Sequence, residues 1–221
     1  DRALRHLQYA ADNALRRSAH ADAITHLTRA LALLTALPET PERAQRELDI
    51  QTTLGPALMA TKGYAASEVE AAYARARELC AELGVTPQLY PVLTGLCGFY
   101  LMRGELRVAN EVSRQLMAHA ESIDDPQVRL GAHNVTGMGL FYGGEFASAM
   151  SHFERAAALH DPHRSGHHRQ FSVDHDPAVS CGAHTALALM VLGYQDRATI
   201  RMRECLAEAR TIDHPLTLTM A

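Results

Sequence analysis

Hydrophobic residues recur along this chain at three- and four-residue spacings, and Ala, Leu, Arg and Glu carry most of the pattern. This period places apolar side chains along one face of an α-helix. The alternation of Val, Ile and Tyr that is typical of strands is absent from the sequence. The pattern therefore predicts an all-α fold.

A short motif is repeated within these helical stretches. A glycine is followed, after five, four and three residues, by positions that are small or apolar. A small residue lets two helix backbones approach, a bulky one fills the gap a turn later, and Gly permits the left-handed conformation that ends the preceding helix. The closest copies are Gly104, Ala109, Ser113 and Leu116; Gly144, Ala149, Phe153 and Ala156; and Gly193, Ala198, Met202 and Cys205. Looser copies are Ala23, Leu27 and Ala30, and Val69, Tyr73 and Ala76.

The spacing of the copies predicts five helical hairpins. Anchored at Ala23, Val69, Ala109, Ala149 and Ala198, they lie 46, 40, 40 and 49 residues apart. No single hairpin can bury its apolar face alone, so we expect the hairpins to stack into one right-handed α-solenoid domain over residues 1–221. The predicted hairpins are 2–37, 42–83, 87–122, 126–160 and 177–212, with a long His-rich loop at 161–176 and the start of a further helix at 215–221.

Composition narrows the possible partners. The chain has 221 residues, 47% of them hydrophobic, and a formal net charge of -4. No basic field favours nucleic acid, and no apolar run approaches the roughly 20 residues of a membrane span. The four cysteines are widely spaced and form no CxxC pair, which indicates reduced thiols in a cytoplasmic protein.

The helix-turn-helix copies resemble tetratricopeptide repeats (TPR), whose usual order is an aromatic, Leu-Gly, Tyr, Gly, Ala, Phe and Ala. The third to fifth copies match that spacing, although the chain has no Trp and Ser113 replaces the usual bulky residue. The resemblance implies about ten helices in TPR-like hairpins.

A narrower resemblance covers nearly the whole chain. It is to the C-terminal repeat region of bacterial multidomain predicted ATPases, in which a cyclase-type domain and an AAA-type ATPase domain precede the repeats. The resemblance implies a regulatory arm of a protein that binds ATP elsewhere in its chain. The strings that carry it are 37–44 (LPETPERA), 54–64 (LGPALMATKGY), 73–80 (YARARELC), 103–106 (RGEL), 176–179 (DPAV) and 192–194 (LGY).

Catalytic motifs are missing from the sequence. The only lysine, Lys62, is followed by Gly63 and Tyr64 rather than by the Ser or Thr of a P-loop. No GxSxG, HExxH or zinc-ribbon spacing occurs. Cys181 and His184 share a helical face, which favours either helix packing or the beginning of a metal site. We therefore predict no catalytic residue, cofactor or metal ligand.

The long loop allows three interpretations. It is rich in imidazole and carboxylate groups, which zinc, nickel or cobalt prefer as ligands. It is either a solvated loop, a metal site of a metal-dependent regulator or enzyme, or a segment that senses pH. Its histidines and acids are His160, Asp161, His163, His167, His168, Asp174, His175 and Asp176.

A partner-binding groove is expected on the first helices of the hairpins, which line the concave face of such arrays. Tyr142 and Asn134 are expected to be exposed there, whereas Met102, Phe141 and Met190 could instead pack against a neighbouring hairpin. The groove residues are Arg5, Gln8, Asp12, Arg16, Thr94, Leu101, Met102, Asn134, Met138, Phe141, Tyr142, Leu187 and Met190.

Together these observations predict a non-catalytic interaction or regulatory scaffold. Its partner is a protein, a peptide or the upstream domains of its own chain, and nucleic acid and membrane are not expected. A stand-alone TPR adaptor remains the alternative, and the oligomeric state is left open.

Overall fold

The computed structural model of the chain describes residues 2–84, 87–160, 176–212 and 215–221. Those residues form eleven α-helices and no strand, so the all-α prediction is confirmed. The first five helices are α1 (Arg2–Arg16), α2 (His20–Leu34), α3 (Pro41–Lys62), α4 (Ser67–Leu83) and α5 (Leu89–Met102). The others are α6 (Leu106–Glu121), α7 (Pro126–Tyr142), α8 (Phe146–Leu159), α9 (Pro177–Val191), α10 (Gln195–Ile212) and α11 (Pro215–Met220).

Three helices begin at a polar cap followed by proline. The side chain of Thr40 accepts a hydrogen bond from the backbone N–H of Arg43, 3.2 Å away, at the start of α3. Asp125 caps α7, and Asp176 caps α9 by accepting from two backbone N–H groups. Such caps satisfy N–H groups that have no partner within the helix, and a proline in the first turn gives up none of these bonds. In each case the polar residue and the proline mark the start of the helix.

Glycines with positive φ follow the ends of three helices, α5, α7 and α9. Gly104, Gly144 and Gly193 have φ values of 72°, 82° and 88°. An L-residue with a Cβ is disfavoured in this left-handed region, which explains why the repeated motif begins with glycine.

The chain divides into two compact units, one ending at Arg103 and the other beginning at Gly104. In the first unit α1 packs on α2, α2 on α3, α3 on α4, and α4 on α5. In the second unit α7 packs on α6, α8 and α9, while α10 packs on α9 and α11. The single domain expected over residues 1–221 stays a prediction.

The repeated motif positions are buried. On the second helices of the predicted hairpins, Ala23, Val69, Ala109, Ala149 and Ala198 are all at most 8% exposed. Small or apolar side chains at these positions let the helices lie close together, as the motif predicted.

Large rings pack directly against glycine backbones. The Tyr73 ring on α4 lies against Gly55 of α3 and Gly95 of α5, so that a Cβ at Gly55 would stand 2.7 Å from Tyr73 Cε2. Phe153 on α8 lies in the same way against Gly137 of α7, where a Cβ would stand 2.7 Å from Phe153 Cδ1. Both rings are 1% exposed, so neither can swing into solvent. Ring and glycine therefore fix how closely these helices approach.

Among the helices of the described residues, none combines the length and the hydropathy that crossing a membrane requires.

We expect the substitution Gly95→Ala to destabilise the first unit and Gly98→Ala, on the same helix, to leave it unchanged or stabilise it. A Cβ at Gly95 would stand 2.5 Å from Tyr73 Cε2, whereas one at Gly98 would make an ordinary 3.5 Å contact with Tyr64. Overpacking costs about 1–3 kcal/mol, while replacing a helical Gly by Ala gains about 1 kcal/mol. Urea unfolding of both variants measures the difference, and equal stabilities would contradict this packing.

Candidate functional site

The predicted groove residues are divided between the two units. Those of the first unit lie on α1 (Arg5, Gln8, Asp12, Arg16) and α5 (Thr94, Leu101, Met102). Those of the second unit lie on α7 (Asn134, Met138, Phe141, Tyr142) and α9 (Leu187, Met190).

In the first unit the predicted residues lie on helices with different packing partners. α1 packs on α2, whereas α5 packs on α3 and α4. Arg5, Asp12, Arg16 and Met102 are exposed. The Thr94 hydroxyl is buried without a hydrogen-bond partner among the described residues. Its burial makes Thr94 a poor contact for a partner.

In the second unit α7 and α9, the two helices that carry the predicted residues, pack side by side. The Cys181 thiol donates to Asn134 Oδ1 over 3.3 Å, and the Ser180 hydroxyl donates to Met138 Sδ over 3.8 Å. One turn further along α9, the His184 ring lies against Tyr142, with the ring centres 6.0 Å apart. We use the name α7–α9 face for the partly or well exposed apolar side chains that these two packed helices carry: Met138, Phe141 and Tyr142 of α7 and Leu187, Met190 and Val191 of α9.

The expected exposure of Asn134 is wrong. Its side chain is only 2% exposed, because α9 covers it and Cys181 supplies its hydrogen bond. Tyr142 is 50% exposed, in agreement with the expectation, and Phe141 is half-buried. Tyr142 is therefore an exposed residue of the α7–α9 face, whereas Asn134 packs between α7 and α9.

The buried ring of His184 packs against two residues of this face, Phe141 and Tyr142. His184 is 4% exposed and lies among the rings of Phe141, Tyr142 and Phe153, at centre distances of 5.8, 6.0 and 5.9 Å. Its Nδ1–H donates to the carbonyl of Ser180 over 2.8 Å. Burial lowers the pKa of His184, so the ring is held neutral. Cys181 and His184 thus take part in helix packing, the first of the two interpretations of their spacing.

Apolar side chains on and beside the face are open to solvent. Tyr142, Met190 and Val191 are each about half exposed, and Leu192 and Tyr194 follow directly beyond the end of α9. A cluster of exposed apolar side chains is a common feature of surfaces that bind other proteins. Chemically, this surface can bury apolar groups of a partner.

The two described ends of the His-rich loop have structural contacts. His160 Nε2 lies 2.8 Å from Glu208 Oε1 on α10, and Asp176 caps α9. In the described part of the chain, three or more metal-binding side chains do not come together. The remaining histidines and acids of the loop lie outside the described residues: Asp161, His163, His167, His168, Asp174 and His175.

The cysteines are poor nucleophiles. Cys80, Cys97, Cys181 and Cys205 are buried as free thiols. Burial raises the pKa of Cys97 to about 12 and raises that of Cys181 as well. Because the thiolate is the reactive form, these residues act as small apolar side chains.

A histidine pair that sequence reasoning missed joins α7 and α8. The Nδ1 atoms of His133 and His152 lie 3.0 Å apart, so one ring donates its Nδ1–H and the other accepts. Burial lowers the pKa of His133 to about 4, with repulsion from His152 and Arg155 adding to the effect. Burial and Arg155 also lower the pKa of His152. The sequence offered one signal for this pair. His133 lies one turn before Gly137 and His152 directly precedes Phe153, so both histidines stand beside residues that pack between α7 and α8.

This pair predicts a loss of stability in mild acid. An unfolded histidine titrates near pH 6.5, above the folded pKa, so protons bind the unfolded chain first and stability falls as the pH drops from about 6.5 to about 4. We expect the pair to account for a loss of about 2–3 kcal/mol in the free energy of unfolding. Urea unfolding across this pH range measures it.

The substitution His133→Gln should reduce that loss, since His152 would be the one member of the pair that still titrates with a lowered pKa. His6→Gln, at an exposed histidine on α1, is the matched control and should leave the pH dependence unchanged. The same loss in His133→Gln as in the parent chain would refute the assignment.

No protein-family model matches the chain, and no curated protein matches it. Several solved structures are similar to the chain. The crystal structure of a Rap protein complexed with competence and sporulation factor is 13% identical, with a TM-score of 0.75, over 98% of this chain and 56% of that one. The apo form of RapI is 13% identical, with a TM-score of 0.76, over 95% of this chain and 71% of that one.

TPR-like repeats are also among the matches. A putative kinesin light chain from Podosopora anserina, described as nearly identical TPR-like repeats, is 17% identical, with a TM-score of 0.70, over 94% of this chain and 95% of that one. The chain thus spans just over half the length of the first Rap protein and nearly all of the kinesin light-chain repeats. It has the all-α, solenoid-type fold of TPR-like helical hairpins.

Proposed function

We propose that this chain is a protein-binding module without catalysis of its own. The observation that carries the proposal is the α7–α9 face, where Tyr142, Met190 and Val191 are about half exposed on two packed helices. Aromatic and Met side chains are typical of the residues that anchor protein interfaces.

The near absence of charged residues from α7 and α9 favours an apolar partner. α9 contains no Asp, Glu, Lys or Arg, and α7 contains only Arg129, in its first turn. A charged group docked here would lose hydration without gaining an ionic partner from these helices. The segment that fits is therefore an uncharged, apolar stretch of another protein.

Rigid support beneath the face favours binding. The Phe141, Tyr142, Phe153 and His184 rings contact one another, and the Nδ1–H bond of His184 fixes its orientation. A surface that is ordered before binding loses less entropy when a partner docks. The complex of the structurally similar Rap protein with competence and sporulation factor further supports a binding role for this fold.

A finer proposal concerns the context of the module. We infer that it is the regulatory C-terminal arm of a cytoplasmic bacterial signalling ATPase or nucleotide cyclase, and that its partner includes the upstream domains of its own chain. The resemblance of strings 37–44, 54–64 and 73–80 supports this. Codons for a P-loop domain upstream in the same gene would agree with the proposal, and a start codon directly before Asp1 would contradict it.

The substitution Tyr142→Ala should weaken binding of apolar peptides without unfolding the chain. We expect at least a tenfold loss of affinity, because exposed aromatic anchors dominate interface energies. Peptides selected from a random library against the parent chain, with affinities measured by fluorescence anisotropy, provide the readout.

Tyr9→Ala is the matched control, since Tyr9 is 65% exposed on α1 of the first unit. It should leave the affinity unchanged. Selected peptides that bind both variants equally well, or that are all strongly charged, would overturn the assignment of the face.

A further inference from the structure

The second unit buries histidines within its helix contacts. One lies on each of four consecutive helices, α6 to α9: His119, His133, His152 and His184. Three of them are at most 9% exposed, and His152 is half-buried. In the described residues of the first unit no histidine is buried. Changes of imidazole charge below neutral pH therefore bear mainly on the unit that carries the α7–α9 face.

Two of these rings face each other between α7 and α8. The Nδ1 atoms of His133 and His152 lie 3.0 Å apart, and the ring centres are 5.1 Å apart. One neutral ring accepts the hydrogen bond that the other donates. When both rings are protonated, both Nδ1 atoms carry a hydrogen and neither can accept. Acid therefore replaces this hydrogen bond by the repulsion of two positive charges.

The acidic side chains of the surrounding helices do not offset these charges. α7 and α9 contain no Asp or Glu, and the acids of α6 and α8 are exposed: Glu111, Glu121 and Glu154. Among the described residues, the charged side chain whose field acts on both rings is Arg155, and it disfavours their protonation. Arg129, one turn before His133, is the one charged residue of α7. The contact between α7 and α8 therefore requires neutral histidines.

His184 places a third ring of this kind directly against the α7–α9 face. Its ring centre lies 5.8 Å from that of Phe141 and 6.0 Å from that of Tyr142. Burial lowers the pKa of His184, because a charge inside this ring cluster would lose its hydration. The acids of α10, which packs on α9, are either exposed or paired with another side chain: Asp196, Glu204 and Glu208.

Phe153 connects the histidine pair with the face. It directly follows His152 on α8, and its ring fills the space beside Gly137 of α7. The centre of the same ring lies 5.9 Å from that of His184, which in turn contacts Tyr142. Separation of α7 from α8 therefore removes the ring that supports His184 and Tyr142.

We propose that the α7–α9 face is acid-labile, so that the chain releases its partner in mild acid. The inference rests on the binding function proposed above and concerns the regulation of that same face. Protonation of the histidines separates α7 from α8 and exposes the rings to water, in a state that we call the open form. The first unit keeps its fold under the same conditions.

The pKa values of the histidines set the pH range of this release. An unfolded histidine has a pKa near 6.5, whereas burial, with repulsion from His152 and Arg155, lowers the pKa of His133 to about 4. Protons therefore bind the open form first, and stability that is complete above about pH 6.5 is lost as the pH falls towards about 4. At pH 5 the open form gains about thirtyfold over the folded form from this residue alone. The lowered pKa values of His119, His152 and His184 act in the same direction.

Peptide binding at two pH values tests the proposal. An uncharged apolar peptide that depends on Tyr142 for binding is titrated with the full chain at pH 7.5 and pH 5.0, with fluorescence anisotropy as the readout. We expect at least tenfold weaker binding at pH 5.0 and full recovery on return to pH 7.5. Equal affinities at the two pH values would overturn the acid release and leave the binding function intact. Absence of binding at pH 7.5 would instead contradict the binding function, and the release with it.

Hydrogen exchange measured by mass spectrometry locates the opening, after correction for the intrinsic exchange rate at each pH. Between pH 6.5 and pH 5.0, amides of α7 and α8 should lose protection, whereas those of α3 and α4 should keep it. Equal loss in both units, or unchanged protection of α7 and α8, would contradict an opening driven by the histidines of the second unit.

Gln substitutions identify the histidine pair as the source of the effect. Gln keeps a neutral hydrogen-bonding side chain, so His133→Gln should bind the peptide normally at pH 7.5 and roughly threefold more tightly than the parent chain at pH 5.0. His6→Gln, at an exposed histidine of α1, is the matched control and should release the peptide as the parent chain does. Circular dichroism establishes folding, and His152→Gln, at its half-buried site, provides the same test if His133→Gln is unfolded. A folded variant of the pair that releases the peptide like the parent chain would refute the proposal.

Discussion

Contact between an aromatic ring and a glycine backbone is the interaction on which the rest of this structure depends. Tyr73 lies against Gly55 and Gly95 in the first unit, and Phe153 lies against Gly137 in the second. Because glycine has no side chain, the ring occupies the space where a Cβ would be and the helices approach closely. The side chains that remain outside these contacts include those of the α7–α9 face.

Much of the fold could be predicted from the sequence, because it is governed by local signals. Thr40, Asp125 and Asp176, each followed by proline, begin helices, and Gly104, Gly144 and Gly193 end them. The repeated alanines that face neighbouring helices are buried as the motif requires. These features depend on residues within one or two helical turns, which a sequence displays directly.

The site was harder to predict, because it depends on which side chain of one helix meets which of another. Asn134 looked exposed on its own helix, but Cys181 is 47 residues away in sequence and covers it. The same limit hid the pairing of His133 with His152. The repeat pattern sets the helices side by side, but it does not specify these long-range pairs.

The double-mutant cycle of Gly137→Ala with Phe153→Leu tests the central role of ring-on-glycine packing most directly. Alone, Gly137→Ala should lower the free energy of unfolding by about 1–3 kcal/mol, because its Cβ collides with the Phe153 ring. Leucine lacks Cε1 and Cζ, two of the three ring atoms that this Cβ would meet, so in the Phe153→Leu background the same change should cost at least about 1 kcal/mol less. An equal loss in both backgrounds would contradict the account.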